Sequence, residues 1–149
     1  MELSINNLEP MIAEVKQLDT YVESLLTGPI AEGKWSIREI IAHLYNWDLF
    51  NANEMVPLME DGASLPEFPD HDSHNREGLA RLEDKSVYDL VDLFVETRIL
   101  LMNRLEAVDP SARFTIGKGK RKFSADSFAK IFVHHDEEHL PQIREKLSQ

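Results

Sequence analysis

Three histidines lie close together in the segment IFVHHDEEHL, at positions 131–140, and are the side chains best suited to chemistry. His135 and His139 stand four residues apart, a spacing that places two side chains on one face of an α-helix. Two imidazoles in that arrangement can reach one metal ion. The spacing favours a metal site, with a pair of hydrogen-bonded core histidines as the alternative. His134 lies about 100° around the helix and is expected to be partly exposed.

The segment HDEEH at 135–139 resembles the H-E-x-x-H motif of zinc proteases, where the glutamate after the first histidine is the general base. Here Asp136, one methylene shorter, occupies that position. Those enzymes also take a third ligand from downstream, yet only ten residues follow His139, and Glu145 is the sole common ligand type among them. The protease interpretation is therefore weak, and we expect a third ligand from upstream.

The best upstream candidate is His43, in the segment WSIREIIAHLYNWD. It falls in an apolar stripe with Leu44 and Trp47, which predicts a second helix with a histidine on its buried face. His71 and His74 lie in PDHDSHN, where the polarity of a loop explains them without a metal. The three candidate ligands are therefore His43, His135 and His139.

Apolar residues repeat every three or four positions in four long segments, which predicts four helices with one buried face each. These segments are 7–26, 36–60, 86–108 and 124–147. Serines at 36, 86 and 124 are expected to cap the last three. Residues 61–72 predict a long loop, followed by a short helix around 73–83, and RFTIGKGKRKF predicts a hairpin or a mobile loop. The pattern favours an all-α four-helix bundle in a single domain, residues 1–149, with a long second connection.

Composition excludes several classes of function. The chain has 149 residues and no cysteine, so any metal must be held by nitrogen and oxygen ligands. Its formal net charge of -11 opposes binding to nucleic acid or to an anionic membrane surface. The sequence shows neither the pattern of a signal peptide nor an apolar segment long enough to span a bilayer, so a cytoplasmic location is expected.

Two motifs, WSIREIIAHL and HDEEHLPQI, make the chain similar to the DinB/YfiT-like superfamily of metal-dependent enzymes. The resemblance covers nearly the whole chain. It includes three pairs of residues, Trp35–Ser36, His43–Leu44 and Gln142–Ile143, and the long second connection that ends near Asn75. It implies a four-helix bundle with a long second crossover, commonly a homodimer. It also implies a divalent metal on three histidines, which by motif position are His43, His135 and His139. Family activities include addition of low-molecular-weight thiols to electrophiles, isomerisation and hydrolysis.

Other polar residues could contribute to such a site. Glu138 could orient a ligand or move a proton, or it could be a solvated surface carboxylate, and Asp48 allows the same two interpretations. Arg98 interrupts an apolar stripe, so it either pairs with a carboxylate or binds an anionic substrate. The basic run Lys118, Lys120, Arg121 and Lys122 could receive a carboxylated or phosphorylated substrate, although the pattern favours a mobile solvated loop. Trp35, Tyr45 and Trp47 are expected in the core or at an interface.

The resulting hypothesis is a metal-dependent enzyme that activates water or a thiol for hydrolase or thiol-transferase chemistry on a small molecule. Zinc or nickel is the expected ion, and iron or manganese also suits the ligands. The rival hypothesis is a non-catalytic bundle, either a dimer stabilised by metal or a module that binds a small molecule.

Overall fold

The computed structural model describes residues 4–149 and contains six α-helices within that range. The helices are Pro10–Lys16 (α1), Glu23–Thr27 (α2), Ile37–Phe50 (α3), His71–Arg81 (α4), Val87–Ala107 (α5) and Ala125–Leu147 (α6). Two strands of two residues each, Ser64–Leu65 (β1) and Thr115–Ile116 (β2), pair in parallel. Of the helices in the part of the chain described, none is both long and apolar enough to cross a membrane.

The first predicted helix is broken rather than continuous, and this prediction was wrong. A 3₁₀ turn at Ser4–Leu8 is followed by α1, a second 3₁₀ turn at Gln17–Thr20, and α2. Pro10 starts α1, since proline at the first helical position has no N–H that needs a partner. The break before α2 follows from the extended backbone of Tyr21 and Val22. Before the break, Leu8, Met11, Val15 and Leu18 keep the predicted buried spacing. Beyond it Val22 is 68 % exposed and Leu26 is buried, so the predicted stripe does not continue through α2.

The second predicted helix begins as expected and changes its winding near its end. The Ser36 hydroxyl accepts a hydrogen bond from the backbone N–H of Glu39 at 3.1 Å, and the Glu39 carboxylate accepts from the backbone of Ser36, also at 3.1 Å. This capping box starts α3. After Phe50 the helix continues as a wider π turn and a 3₁₀ turn, ending at Leu58, and Pro57 lies in that last turn.

The long second connection contains β1 and α4. The Asp70 side chain accepts a hydrogen bond from the backbone N–H of Ser73 at 3.0 Å, so α4 begins at His71, two residues earlier than predicted. The segment RFTIGKGKRKF is hairpin-like only at an antiparallel bridge between Phe114 and Phe123, because its strand pairs with β1 of the connection.

The long helices α5 and α6 match their predicted bounds, with Ser86 and Ser124 as N-caps. Helix α5 packs against α1, α3 and α6, while the N-terminal 3₁₀ turn packs against α6. These contacts form a four-helix bundle from the broken N-terminal segment, α3 with its extension, α5 and α6. The fold class predicted from the sequence is confirmed, and α4 is an additional helix that lies against α3.

Candidate metal centre

Three imidazoles meet between α3 and α6, on the residues that the sequence predicted as ligands. The Nε2 atom of His135 lies 2.8 Å from Nε2 of His43 and 3.2 Å from Nε2 of His139. One ring nitrogen from each histidine lies within 4.8 Å of the other two. Two adjacent turns of α6 supply His135 and His139, and α3 supplies His43 from the facing helix.

The protonation state of His43 follows from its contact with Asn75 of α4. The side-chain oxygen Oδ1 of Asn75 accepts a hydrogen bond from Nε1–H of Trp47 at 2.8 Å and lies 2.9 Å from Nδ1 of His43. An indole N–H is only a donor, so the Asn75 atom that faces it must be the oxygen. That oxygen cannot donate, and Nδ1 of His43 therefore carries the ring proton. The lone pair of Nε2 is left free to point at the other two histidines.

His139 has a similar partner on its own helix, where Nδ1 lies 2.9 Å from Oε1 of Gln142. With its proton on Nδ1, the Nε2 lone pair of His139 also faces the cluster. Nitrogen ligands at about 2.0–2.1 Å from a tetrahedral ion lie about 3.3 Å apart. The two separations from Nε2 of His135, 2.8 and 3.2 Å, are close to that value, and a ring nitrogen of each histidine lies within 4.8 Å of the others, so the three side chains could hold one divalent ion after an adjustment of their positions.

The environment keeps two of the candidate ligands neutral. Burial lowers the pKa of His43 to about 4, an effect increased by nearby His139 and opposed by the hydrogen bond with Asn75. Burial lowers the pKa of His135 to about 3, helped by the neighbouring His43 and His139. Both rings are therefore uncharged at neutral pH, the form in which an imidazole binds a metal.

A pocket of about 550 Å³ opens over the three histidines. Its remaining lining combines aromatic side chains with a few polar ones: Trp35, Trp47, Phe68, His71, Asn75, Ile131, Phe132, His134 and Glu138. Trp47 is 5 % exposed and thus largely buried, as the sequence predicted, but its ring and that of Trp35 also form pocket wall. The pocket therefore gives a small molecule access to the candidate metal centre.

The structure puts Glu138 at this pocket, where it is exposed to solvent. His134 is exposed as predicted, and its Nδ1 lies 3.3 Å from the Glu137 carboxylate. His71 lines the pocket from the first turn of α4, while His74 packs its ring 4.3 Å from that of Trp47. Both stand on a helix rather than in the predicted loop.

Arg98 lies outside the pocket lining, buried between two carboxylates. Its Nε donates to Asp48 of α3 at 2.7 Å, and its Nη1 donates to Asp136 of α6 at 2.7 Å. The backbone carbonyl of Leu8 accepts another Arg98 hydrogen bond at 3.0 Å. Of the two interpretations that the sequence left open, pairing with carboxylates is the arrangement observed. Arg98 joins α5 to both helices that carry the candidate ligands.

The two carboxylates differ from their expected settings. Asp48, predicted as a solvated or site residue, is 1 % exposed, and Asp136 is 7 % exposed. Burial raises the pKa of Asp48 to about 6, although the charge of Arg98 opposes this. Burial by itself would lower the pKa of Arg98, but Asp48 and Asp136 raise it above its ordinary value. The arginine is therefore charged in every accessible pH range.

Helix α4 is held against α3 by contacts close to Asn75. Nδ2 of Asn46 donates to the carbonyl of His74 at 3.1 Å, and Arg81 donates to Oδ1 of Asn46 at 3.0 Å. Gly78 allows this approach, because a Cβ added there would lie 2.2 Å from Nδ2 of Asn46. This close packing brings the Asn75 oxygen to His43. Sequence reasoning missed Asn75, since its position depends on how α4 packs and no local spacing indicates it.

The basic run Lys118–Lys122 lies outside the pocket, with Lys118, Lys120, Arg121 and Lys122 exposed. Solvation accounts for the three lysines, and Arg121 also packs its guanidinium 4.6 Å from the centre of the Phe123 ring.

Comparison with known proteins agrees with the fold. A solved structure, YfiT from Bacillus subtilis, is similar to this chain with a TM-score of 0.72 and 19% sequence identity, over 96% of this chain and 83% of that one. YfiT is described as a probable metal-dependent hydrolase with an unusual four-helix bundle topology. A search of curated proteins found no match. The family model of the DinB superfamily matches residues 11–143, which is most of the chain. The chain therefore belongs to the DinB superfamily.

Proposed function

We propose that this protein is a metal-dependent enzyme acting on a small molecule, with His43, His135 and His139 as the ligands of a divalent ion. The observation that carries the proposal is the position of His135. Its Nε2 atom lies within hydrogen-bonding distance of Nε2 of both His43 and His139. Zinc or nickel bound there would supply Lewis-acid chemistry, activating water or a thiol at neutral pH. Hydrolysis and thiol transfer are the two reaction classes that this chemistry supports.

The chain's own residues would prepare the site in distinct ways. Asn75 holds His43 in the tautomer with a free Nε2 lone pair, as ligating histidines require. The aromatic side chains that line the pocket would receive the apolar part of a substrate. Glu138 stands at the pocket, where its carboxylate could accept or return a proton.

Arg98 enters this proposal as a positioning residue rather than a catalytic one. Its two carboxylate partners lie on the ligand-bearing helices, five residues after His43 and one after His135. The ion pairs therefore fix the separation of α3 and α6, on which the meeting of the three imidazoles depends. A low-molecular-weight thiol as second substrate and a homodimer remain predictions of the resemblance.

The test is elemental analysis of untagged protein, with circular dichroism to verify folding, for the wild type and three histidine variants. About one divalent ion per chain is expected in the wild type and in His134→Ala, the matched control on the same helix. His43→Ala and His135→Ala should remain folded and lose most of the ion. Metal bound equally by all four proteins would contradict the ligand assignment.

Activity distinguishes the enzyme from a metal-stabilised bundle. Ester hydrolysis and thiol addition to an electrophile should depend on the ion and disappear in His43→Ala. If metal raises the melting temperature but neither reaction depends on it across a broad panel, the non-catalytic alternative is correct.

A further inference from the structure

The pocket has a continuous aromatic wall beside the histidines. Phe68, from the connection before α4, lies with its ring centroid 6.2 Å from Trp47 and 6.1 Å from Phe132. Phe132 in turn lies 6.1 Å from His135. Aromatic faces bind flat apolar groups by stacking and attract cations through the negative face of the ring. The wall thus suits an aromatic or otherwise flat apolar body placed next to the reacting centre.

The side chains that line the pocket carry charge of one sign. Within residues 4–149, Glu138 is the only carboxylate side chain in the lining, which includes neither lysine nor arginine. The guanidinium of Arg98 is 1 % exposed and is paired with two carboxylates. The basic run Lys118–Lys122 is absent from the lining as well. An anionic ligand would meet Glu138 with no fixed side-chain cation opposite it, whereas a cationic ligand would be attracted.

We propose that this pocket binds a small molecule with a flat apolar body and a positively charged group, the body against Trp47, Phe68 and Phe132 and the cation towards Glu138. The inference rests on the proposed function only in taking that molecule to be the substrate. The reacting group then faces the three histidines. The cation stays at the solvent-exposed side of the pocket, where Glu138 compensates its charge and where a metal ion repels it least.

In the metal-free protein, the same arrangement selects against anionic molecules of equal size. A carboxylated or phosphorylated molecule, which the basic run suggested from the sequence, would be repelled by Glu138 and by the overall charge of -11. The pocket therefore distinguishes ligands by charge before any chemistry takes place.

Binding of three matched probes tests the proposal: benzyltrimethylammonium as the cation, benzyl alcohol as the neutral molecule and phenylacetate as the anion. Isothermal titration calorimetry on metal-free wild-type protein should give the cation an affinity at least about tenfold above that of phenylacetate. Glu138→Gln should weaken binding of the cation about three- to tenfold and leave benzyl alcohol unchanged. Glu137 precedes Glu138 and lies outside the pocket lining, so Glu137→Gln is the matched control and should leave all three affinities unchanged.

Phe68→Ala should weaken all three probes, because it removes part of the wall while leaving Glu138 in place. Phenylacetate binding as tightly as the cation would overturn the proposal, as would a Glu138→Gln protein with unchanged charge preference or a wild type that binds none of the probes.

The outcome is separable from that of the proposed function. A protein that prefers the cation but holds no metal would be a binding module, and the proposed function would fail alone. A metal-dependent enzyme that prefers anionic substrates and phenylacetate would retain the proposed function and refute this inference.

Discussion

Replacing Asn75 with leucine tests the link between α4 and the candidate metal centre. Leucine is similar in size to asparagine but has no oxygen to accept the N–H groups of His43 and Trp47. His43 then lacks the partner that keeps its proton on Nδ1, and the alternative tautomer would put a proton where a metal must bind. The variant therefore keeps the His43 side chain but removes the hydrogen bond that orients it.

Two effects of different size are expected. Loss of the partner that orients a ligating histidine typically lowers metal affinity about 10- to 100-fold. Each buried N–H left without an acceptor costs about 1–3 kcal/mol, and both donors here belong to residues that are 5 % exposed. We therefore expect Asn75→Leu to lower the free energy of unfolding of the metal-free protein by about 2–6 kcal/mol.

The assay is competition of the protein with a chromogenic chelator for zinc, accompanied by urea unfolding of the metal-free form. Asn75→Asp keeps an acceptor oxygen at the same reach and should bind zinc at least as tightly as the wild type. Asn46→Ala is the matched control, because Asn46 also holds α4 against α3 but does not contact the three histidines.

Wild-type zinc affinity in a folded Asn75→Leu protein would refute the tautomer argument. An equal loss in Asn46→Ala would show instead that metal affinity depends on the general attachment of α4.

Three further predictions concern stability, each measured by urea unfolding of the metal-free protein. Arg98→Met should lower the free energy of unfolding by about 3–5 kcal/mol, because two buried carboxylates lose their counter-charge. Arg144 forms an exposed ion pair, so the control Arg144→Met should change it by less than about 1 kcal/mol. Equal effects of the two substitutions would contradict this account. Gly78→Ala should lower the free energy of unfolding by about 1–3 kcal/mol, because the new methyl group meets the buried, hydrogen-bonded Asn46. The double variant Gly78→Ala/Asn46→Ala should recover part of that loss. His43 has a native pKa of about 4 against an ordinary 6.5, so the unfolded chain binds more protons between these values and stability falls as pH falls from about 6.5 to 4. The difference corresponds to about 3 kcal/mol, and a His43→Gln protein that kept the full pH dependence would exclude His43 as its source.

The sequence predicted the candidate ligands because their signal is local. His135 and His139 stand one helical turn apart, and His43 falls within an apolar stripe, so spacing alone puts all three on buried faces. Helix starts were likewise predictable at Ser36, Ser86 and Ser124, where a side chain caps the next turn. Assignment of these three histidines as metal ligands stays a prediction until metal is measured.

Other features depend on contacts between distant segments. The spacing of apolar residues in the sequence continues through the break at Tyr21 and Val22, so periodicity gave no sign of it, yet the structure leaves Val22 exposed. Asp48 has the polarity of a surface residue and is buried only because Arg98 reaches it from α5. Phe68 and Asn75 become part of the site through the packing of the connection, which a single sequence does not specify.

The distance along the chain between the histidines has a consequence for synthesis. His43 precedes His135 by 92 residues, so its partners emerge from the ribosome about 5–20 s later at about 5–20 residues per second. During that interval the nascent chain presents a single histidine of the three, which is too few ligands to retain a divalent ion against cellular competitors. Metal would be acquired only after α6 is made, and the choice of ion would then be set by the pool that the completed chain meets.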